Sequence, residues 1–236
     1  MKTALLAISV ATLVCATSCA ALGQSPSGEP PVPGQLQVGL LVVEGVYNTE
    51  LTAPMDMFQH TIFHTSPGMR VFLVAEEQRP ITSFEGLRIL PDYDFENCPD
   101  IDVLVVPSAE HNMDTDLENE RLIEFVRERG NKAKWIMSLC DGAFVLAQAG
   151  LLDGKAATTF PSDIPAFAER FESTVKVRSG VSFVHDGKAI TSVGGAPSFD
   201  AALYLCEVLY GAKVARGIAG GLVIDWDLSA IEHEIH

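Results

Sequence analysis

The chain has 236 residues and is 47% hydrophobic, enough to bury one substantial core and too short for more than one large or two small domains. Its 16 Lys+Arg stand against 31 Asp+Glu, and the formal net charge of -15 repels phosphate backbones and anionic lipid headgroups, which excludes nucleic acid as a partner. Beyond the N-terminus no run is apolar for the roughly 18 residues that a membrane span requires, so no transmembrane span is expected.

The first 23 residues read as an export signal: Lys2 gives a positive start, 4–14 is an apolar run, and small residues follow. Two processing routes stay open. Ala16-Thr17-Ser18-Cys19 resembles a bacterial lipobox that would lipidate Cys19, although Ala16 stands where an aliphatic residue is usual. Ala21-Leu22-Gly23 would instead suit ordinary signal peptidase. Residues 24–35 (QSPSGEPPVPGQ) form a flexible linker with almost nothing to bury, and a linker directly after Cys19 favours the lipid tether. The expected location is the periplasm or the envelope surface, with a lipid anchor at most.

From residue 36 the pattern changes. Short, mostly apolar runs at 36–43, 71–75, 103–106 and 134–138 predict strands buried on both faces of a parallel sheet. Between and after them, 54–64, 117–129 and 199–210 read as helices, which predicts βαβ crossovers and a sheet covered on both sides. Weaker strands are expected at 174–177, 182–185 and 189–191, the last two forming a hairpin around Asp186-Gly187. The domain is placed at 36–228, with 229–236 as a frayed, solvated tail.

The segment from Lys134 to Ala143 (KWIMSLCDGA) carries a buried strand into a helix rich in small residues, with Cys140 at the junction. A tight turn there exposes the sulfur at the carboxyl edge of the sheet, where open α/β folds bind ligands. The helix N-terminus offers unpaired N–H groups to a thiolate or an oxyanion, and Gly142 and Ala143 allow close packing. This is a nucleophile elbow with cysteine in place of serine. A buried structural cysteine is the alternative, since free cysteine is among the most buried residue types.

Four segments in register resemble the ThiJ/PfpI superfamily, of the class I glutamine amidotransferase-like fold: ELTAPMDMF (50–58), DVLVVP (102–107), SLCDGA (138–143) and TSVGGAPSFDAAL (191–203). The branches it looks most like are the isonitrile hydratases and the amidotransferase-like domains of AraC-type regulators. The regulator type would need a DNA-binding module after the domain, and none is expected before His236. The resemblance implies a three-layer, flavodoxin-like sandwich with a mostly parallel sheet, and a homodimer.

It also implies site roles. Cys140 falls at the nucleophile. Glu50 matches the acidic residue that hydrogen-bonds the sulfur and, if protonated, would donate a proton; a carboxylate there would otherwise raise the thiol pKa. Ser108-Ala109-Glu110 stands where relatives have a Gly-Gly oxyanion loop, which makes Ala109 and Gly142 the pocket donors. Asp141 and Phe160 occupy the places where amidase-type relatives carry histidine, so a Cys-His pair for amide hydrolysis is missing and Asp141 becomes the candidate acid/base.

His111 follows the third strand and would reach the site if its loop folded over the sulfur; a solvated histidine is the plainer reading. His60 and His64 have helical i, i+4 spacing but no third ligand, so no metal is expected, and no cofactor is implied. Cys98 and Cys206 are left as a conceivable pair. The expected function is a small-molecule enzyme of the isonitrile hydratase or related lyase type, not a peptidase or glutaminase. The alternative is a binding or stress-sensing protein with Cys140 as a redox-sensitive thiol.

Overall fold

The structure is a computed structural model that describes residues 32–236. The predicted signal peptide, Cys19 and residues 24–31 of the predicted linker lie outside the described residues.

In chain order the elements are β1 (Gln37–Leu41), α1 (Asn48–Gln59), β2 (Arg70–Ala75), β3 (Ile81–Thr82), β4 (Arg88–Ile89), β5 (Tyr93–Asp94), β6 (Val103–Val106), α2 (Glu120–Lys132), β7 (Trp135–Leu139) and α3 (Gly142–Gln148). Then come β8 (Ala156–Ala157), α4 (Ile164–Phe171), β9 (Lys176–Val177), β10 (Phe183–Asp186), β11 (Ala189–Ser192), α5 (Pro197–Tyr210), α6 (Ala212–Gly221) and β12 (His233–Ile235). Eight strands form the central sheet in the order β12-β10-β11-β7-β6-β1-β2-β5, and β3-β4 and β8-β9 are separate two-stranded pairs. Only the β10-β11 hairpin is antiparallel within that sheet.

Every residue of β1 and β6 is buried, as strands covered on both faces require. Alternation along β1 sends Val38 and Leu40 to one layer and Leu41 to the other. The first layer is closed by α1, α5 and α6 through Met57, Phe58, Leu203 and Ile218; the second by α2, α3 and α4 through Val126, Phe144 and Phe167. The fold is therefore the three-layer α/β sandwich with a mostly parallel sheet that the sequence predicts. Cys98 and Cys206 lie in opposite layers and, like Cys140, are free thiols.

Three departures matter. Helix α1 starts at Asn48, so Pro54 sits inside it, and Glu50 falls in the first turn, where a carboxylate is favoured by the helix dipole. The end of the chain is not a frayed tail. β12 extends the sheet beside β10, the Ser182 N–H donates to the Glu232 carbonyl at 2.7 Å, and Arg178 pairs with Glu234 at 2.9 Å. Helices α4 and α6 have no counterpart in the sequence reading: α4 is eight residues long, and α6 holds three glycines that weaken its intrinsic propensity. Packing against α5 stabilises α6 instead. Among the described residues no helix is long and apolar enough to cross a membrane.

Candidate active site

Strands β1, β6, β7 and β11 run parallel, so the loops after them meet at one edge of the sheet. This is the crevice where open α/β sheets place their chemistry. The loop after β1 leads to Glu50, that after β6 holds Ser108 and Ala109, β7 ends at Cys140, and Gly194-Gly195 follow β11.

Cys140 has φ 53°, a left-handed conformation that costs a non-glycine residue about 1–2 kcal/mol. The turn is fixed by its surroundings. The Cys140 N–H donates to the Ser192 carbonyl at 2.9 Å, extending the β7-β11 ladder past the last strand residue. A Cβ added at Gly142 would lie 2.0 Å from the Val106 carbonyl oxygen, so only glycine lets α3 start against the end of β6. The Thr159 hydroxyl lies 3.1 Å from the Cys140 carbonyl oxygen and 3.0 Å from Asp141 Oδ1.

Cys140 is only 7% exposed, and its Sγ donates to Asp141 Oδ2 at 3.6 Å. Burial first, then the Asp141 and Glu50 carboxylates, push the thiol pKa far above its ordinary range; the Ser108 hydroxyl and the Asp141 N–H work the other way without prevailing. The thiolate-stabilising effect expected of the helix start is present but outweighed, so Cys140 rests as a neutral thiol. Burial likewise raises Asp141 to about 6, with Thr159 opposing and Asp163 adding to the shift. The one hydrogen of Thr159 cannot serve two acceptors fully, whereas a protonated Asp141 would donate to Thr159 and free that hydrogen for the Cys140 carbonyl.

Glu50 is buried beside this group, and its Oε1 accepts the Gly195 N–H at 2.8 Å. The implied Glu50–sulfur hydrogen bond is not formed among the described residues; Glu50 reaches Cys140 through charge alone. Ala109 is a second correction. Its N–H donates to Asn112 Oδ1 at 2.9 Å and is not free as an oxyanion donor. His111 is a third: its side chain is 50% exposed and Nδ1 pairs with Asp114 Oδ1 at 3.3 Å, away from the sulfur. Gly142 stays at the elbow as the first residue of α3, whose leading N–H groups have no intrahelical acceptor. His64 packs against Gly217 and His60 against Phe63, so their rings do not converge.

Three participants had no assigned role in the sequence. Thr159 belongs to the Thr-Thr-Phe segment in which Phe160 stands where amidase-type relatives carry histidine. Tyr47 packs at a tilt on Phe84 with ring centroids 4.6 Å apart, and its hydroxyl pKa is raised by burial and by the neighbouring Glu110, Asp141 and Glu50 carboxylates. Gly195 supplies the amide that fixes Glu50. A groove of about 400 Å³ lined in part by Thr159, Ile164, Val181 and Val193 adjoins the elbow, but Cys140 does not line it.

The DJ-1/PfpI family model matches residues 36–207, the span that carries Glu50, Ser108, Cys140 and Gly194. The chain belongs to the DJ-1/PfpI family. The isonitrile hydratase of Pseudomonas putida is 33% identical over 184 residues, covering 77% of this chain and 75% of that protein. Protein DJ-1alpha of Drosophila melanogaster is 26% identical over 192 residues, 78% of this chain and 82% of that one. Among solved structures, a ThiJ/PfpI family protein from Pseudomonas syringae superposes with TM-score 0.72 at 29% identity, covering 86% of this chain and 84% of that one. Drosophila DJ-1beta, at TM-score 0.71 and 21% identity over 81% of this chain and 100% of that one, shares the fold.

Proposed function

We propose that this DJ-1/PfpI protein hydrates small isonitriles, or closely related carbon electrophiles, with Cys140 as nucleophile and Asp141 as acid/base. The observation that carries this reading is the 3.6 Å contact from Cys140 Sγ to Asp141 Oδ2, an S–H already directed at a carboxylate. The similarity to the Pseudomonas putida isonitrile hydratase supports the substrate class.

In the proposed reaction Asp141 takes the thiol proton as sulfur bonds to the terminal isonitrile carbon. It returns that proton to the same carbon, giving a thioimidate, R–N=CH–S–enzyme. Water then adds to the thioimidate carbon, its proton passing through Glu50 to nitrogen. Collapse of the tetrahedral adduct breaks the C–S bond and gives the N-substituted formamide and the free thiol. The net change is RNC + H2O → RNHCHO, with no oxidant or reductant. A carboxyl of pKa about 6 suits both proton transfers near neutrality.

The alternative, a redox-sensing thiol, requires a thiolate for oxidation. The burial and neighbouring carboxylates that keep Cys140 neutral weigh against it. Export and lipidation at Cys19 rest on residues 1–23 and are part of the proposal; fractionation with Cys19→Ala tests them.

The functional test is to incubate residues 24–236 with an alkyl isonitrile and follow formamide release by chromatography. Cys140-dependent formamide supports hydration. Consumption of no isonitrile at any pH between 5 and 9 sinks it.

A further inference from the structure

We propose that the Ser108 side-chain hydroxyl is the donor that stabilises negative charge on the Cys140 sulfur as it reacts, replacing the backbone amide of the loop after β6. The inference rests on Cys140 being the reacting group, and it adds a residue to that site. Three independent observations carry it.

The first is register. Val106 of β6 pairs with Ser138 of β7, and Ser108 and Cys140 are each two residues further along these parallel neighbours. The two residues therefore leave the sheet side by side, and the close approach of Gly142 to the Val106 carbonyl confirms that the β6 end and the elbow touch.

The second is an unpaired donor. Ser108 is fully buried, yet in the resting geometry its Oγ has no hydrogen-bond partner among the described residues, an unfavourable arrangement for a hydroxyl removed from water. In the resting state the neighbouring sulfur is itself a donor, with its proton directed at Asp141, so Ser108 has nothing negative to serve. When that proton leaves, the sulfur becomes an acceptor beside a free O–H. Ser138 and Ser198 also have unpartnered buried hydroxyls, but neither is among the groups acting on the sulfur, whereas Ser108 is.

The third is the fate of the amide that would otherwise do this work. The Ala109 N–H is held by Asn112 Oδ1, and the Ser108 carbonyl accepts the Tyr47 N–H at 3.0 Å. Both polar groups of the Ser108–Ala109 peptide are thus engaged, which leaves the Ser108 hydroxyl as the free donor of this loop beside the elbow.

The experiment compares wild type, Ser108→Ala and Ser108→Thr by the rate at which iodoacetamide alkylates Cys140 across pH 7–10, read by peptide mapping, alongside thermal melts. Ser108→Ala should slow alkylation about tenfold at fixed pH, the loss of one hydrogen bond to a charged group. Its melting temperature should hold or rise, because an unpaired buried hydroxyl has been removed. Ser108→Thr should restore the wild-type rate. Unchanged alkylation in folded Ser108→Ala overturns the proposal. Slowing accompanied by a lowered melting temperature and no rescue by Ser108→Thr also overturns it, since the role would then be structural. Alkylation needs no isonitrile turnover, so this result is separable from the test of hydration.

Discussion

Gly194 lies so close to Cys140 that a Cβ on it would come 2.4 Å from the cysteine Cβ and 3.0 Å from the cysteine N. With φ at +81°, Gly194 is also in a conformation that L side chains rarely adopt. The loop after β11 and the elbow after β7 are therefore fitted to each other at van der Waals limits.

Gly194→Ala should accordingly destabilise the protein by roughly 3 kcal/mol or more, a strain and a backbone clash together. Urea titration measures it. A loss below about 1 kcal/mol would mean that the elbow relaxes freely.

Asp141→Asn should change stability with pH in a direction that its raised pKa dictates. A carboxyl lifted to about 6 in the fold from an ordinary value near 3.8 contributes stability below 3.8, and this is lost as pH rises through 6. Asn carries no charge to bury, so the variant should gain on the order of 2 kcal/mol over wild type at pH 8 and little at pH 3.5. Turnover should fall about a hundredfold or more, the usual worth of a positioned acid/base. Equal stability differences at the two pH values would contradict the assignment.

Glu50→Gln should separate two effects. The amide oxygen of Gln can still accept the Gly195 N–H, so the loop after β11 should hold. Removing the charge takes away one of the influences that raise the Cys140 pKa, so alkylation should become faster while isonitrile turnover slows. Faster turnover as well as faster alkylation would leave Glu50 without a part in water addition.

Peptide and glutamine substrates should not be hydrolysed. Amide-cleaving cysteine enzymes pair the sulfur with a histidine, and His111 is exposed and paired with Asp114, which leaves Asp141 as the acid/base in contact with the sulfur. Cysteine-dependent release of ammonia from glutamine would refute this.

The elements legible in the sequence were those whose pattern is local. An all-apolar run such as that of β6 admits one reading, and the strand–cysteine–glycine order around Cys140 announces an elbow. What was illegible depends on partners distant in sequence. Nothing near His233 shows that β10 offers it a free edge, and nothing near Ala109 shows that Asn112 occupies its N–H. The charge state of Cys140 was illegible for the same reason. A helix start argues for a thiolate and a neighbouring carboxylate against it, and only the fold shows Cys140 buried, with Asp141 in contact and Glu50 acting through charge. Thr159 and Ser108 were in view as residues but became participants only once β8 and β6 were placed beside the elbow.

The most direct test of Cys140 as a covalent nucleophile is to mix residues 24–236 with an alkyl isonitrile in the presteady state, quench with acid and map the peptides by mass. The expected result is the mass of one isonitrile added to the peptide bearing Cys140, more abundant in Glu50→Gln, where water addition is impaired, and absent from Cys140→Ala. Formamide production by Cys140→Ala at the wild-type rate, or an adduct confined to Cys98 or Cys206, would contradict it.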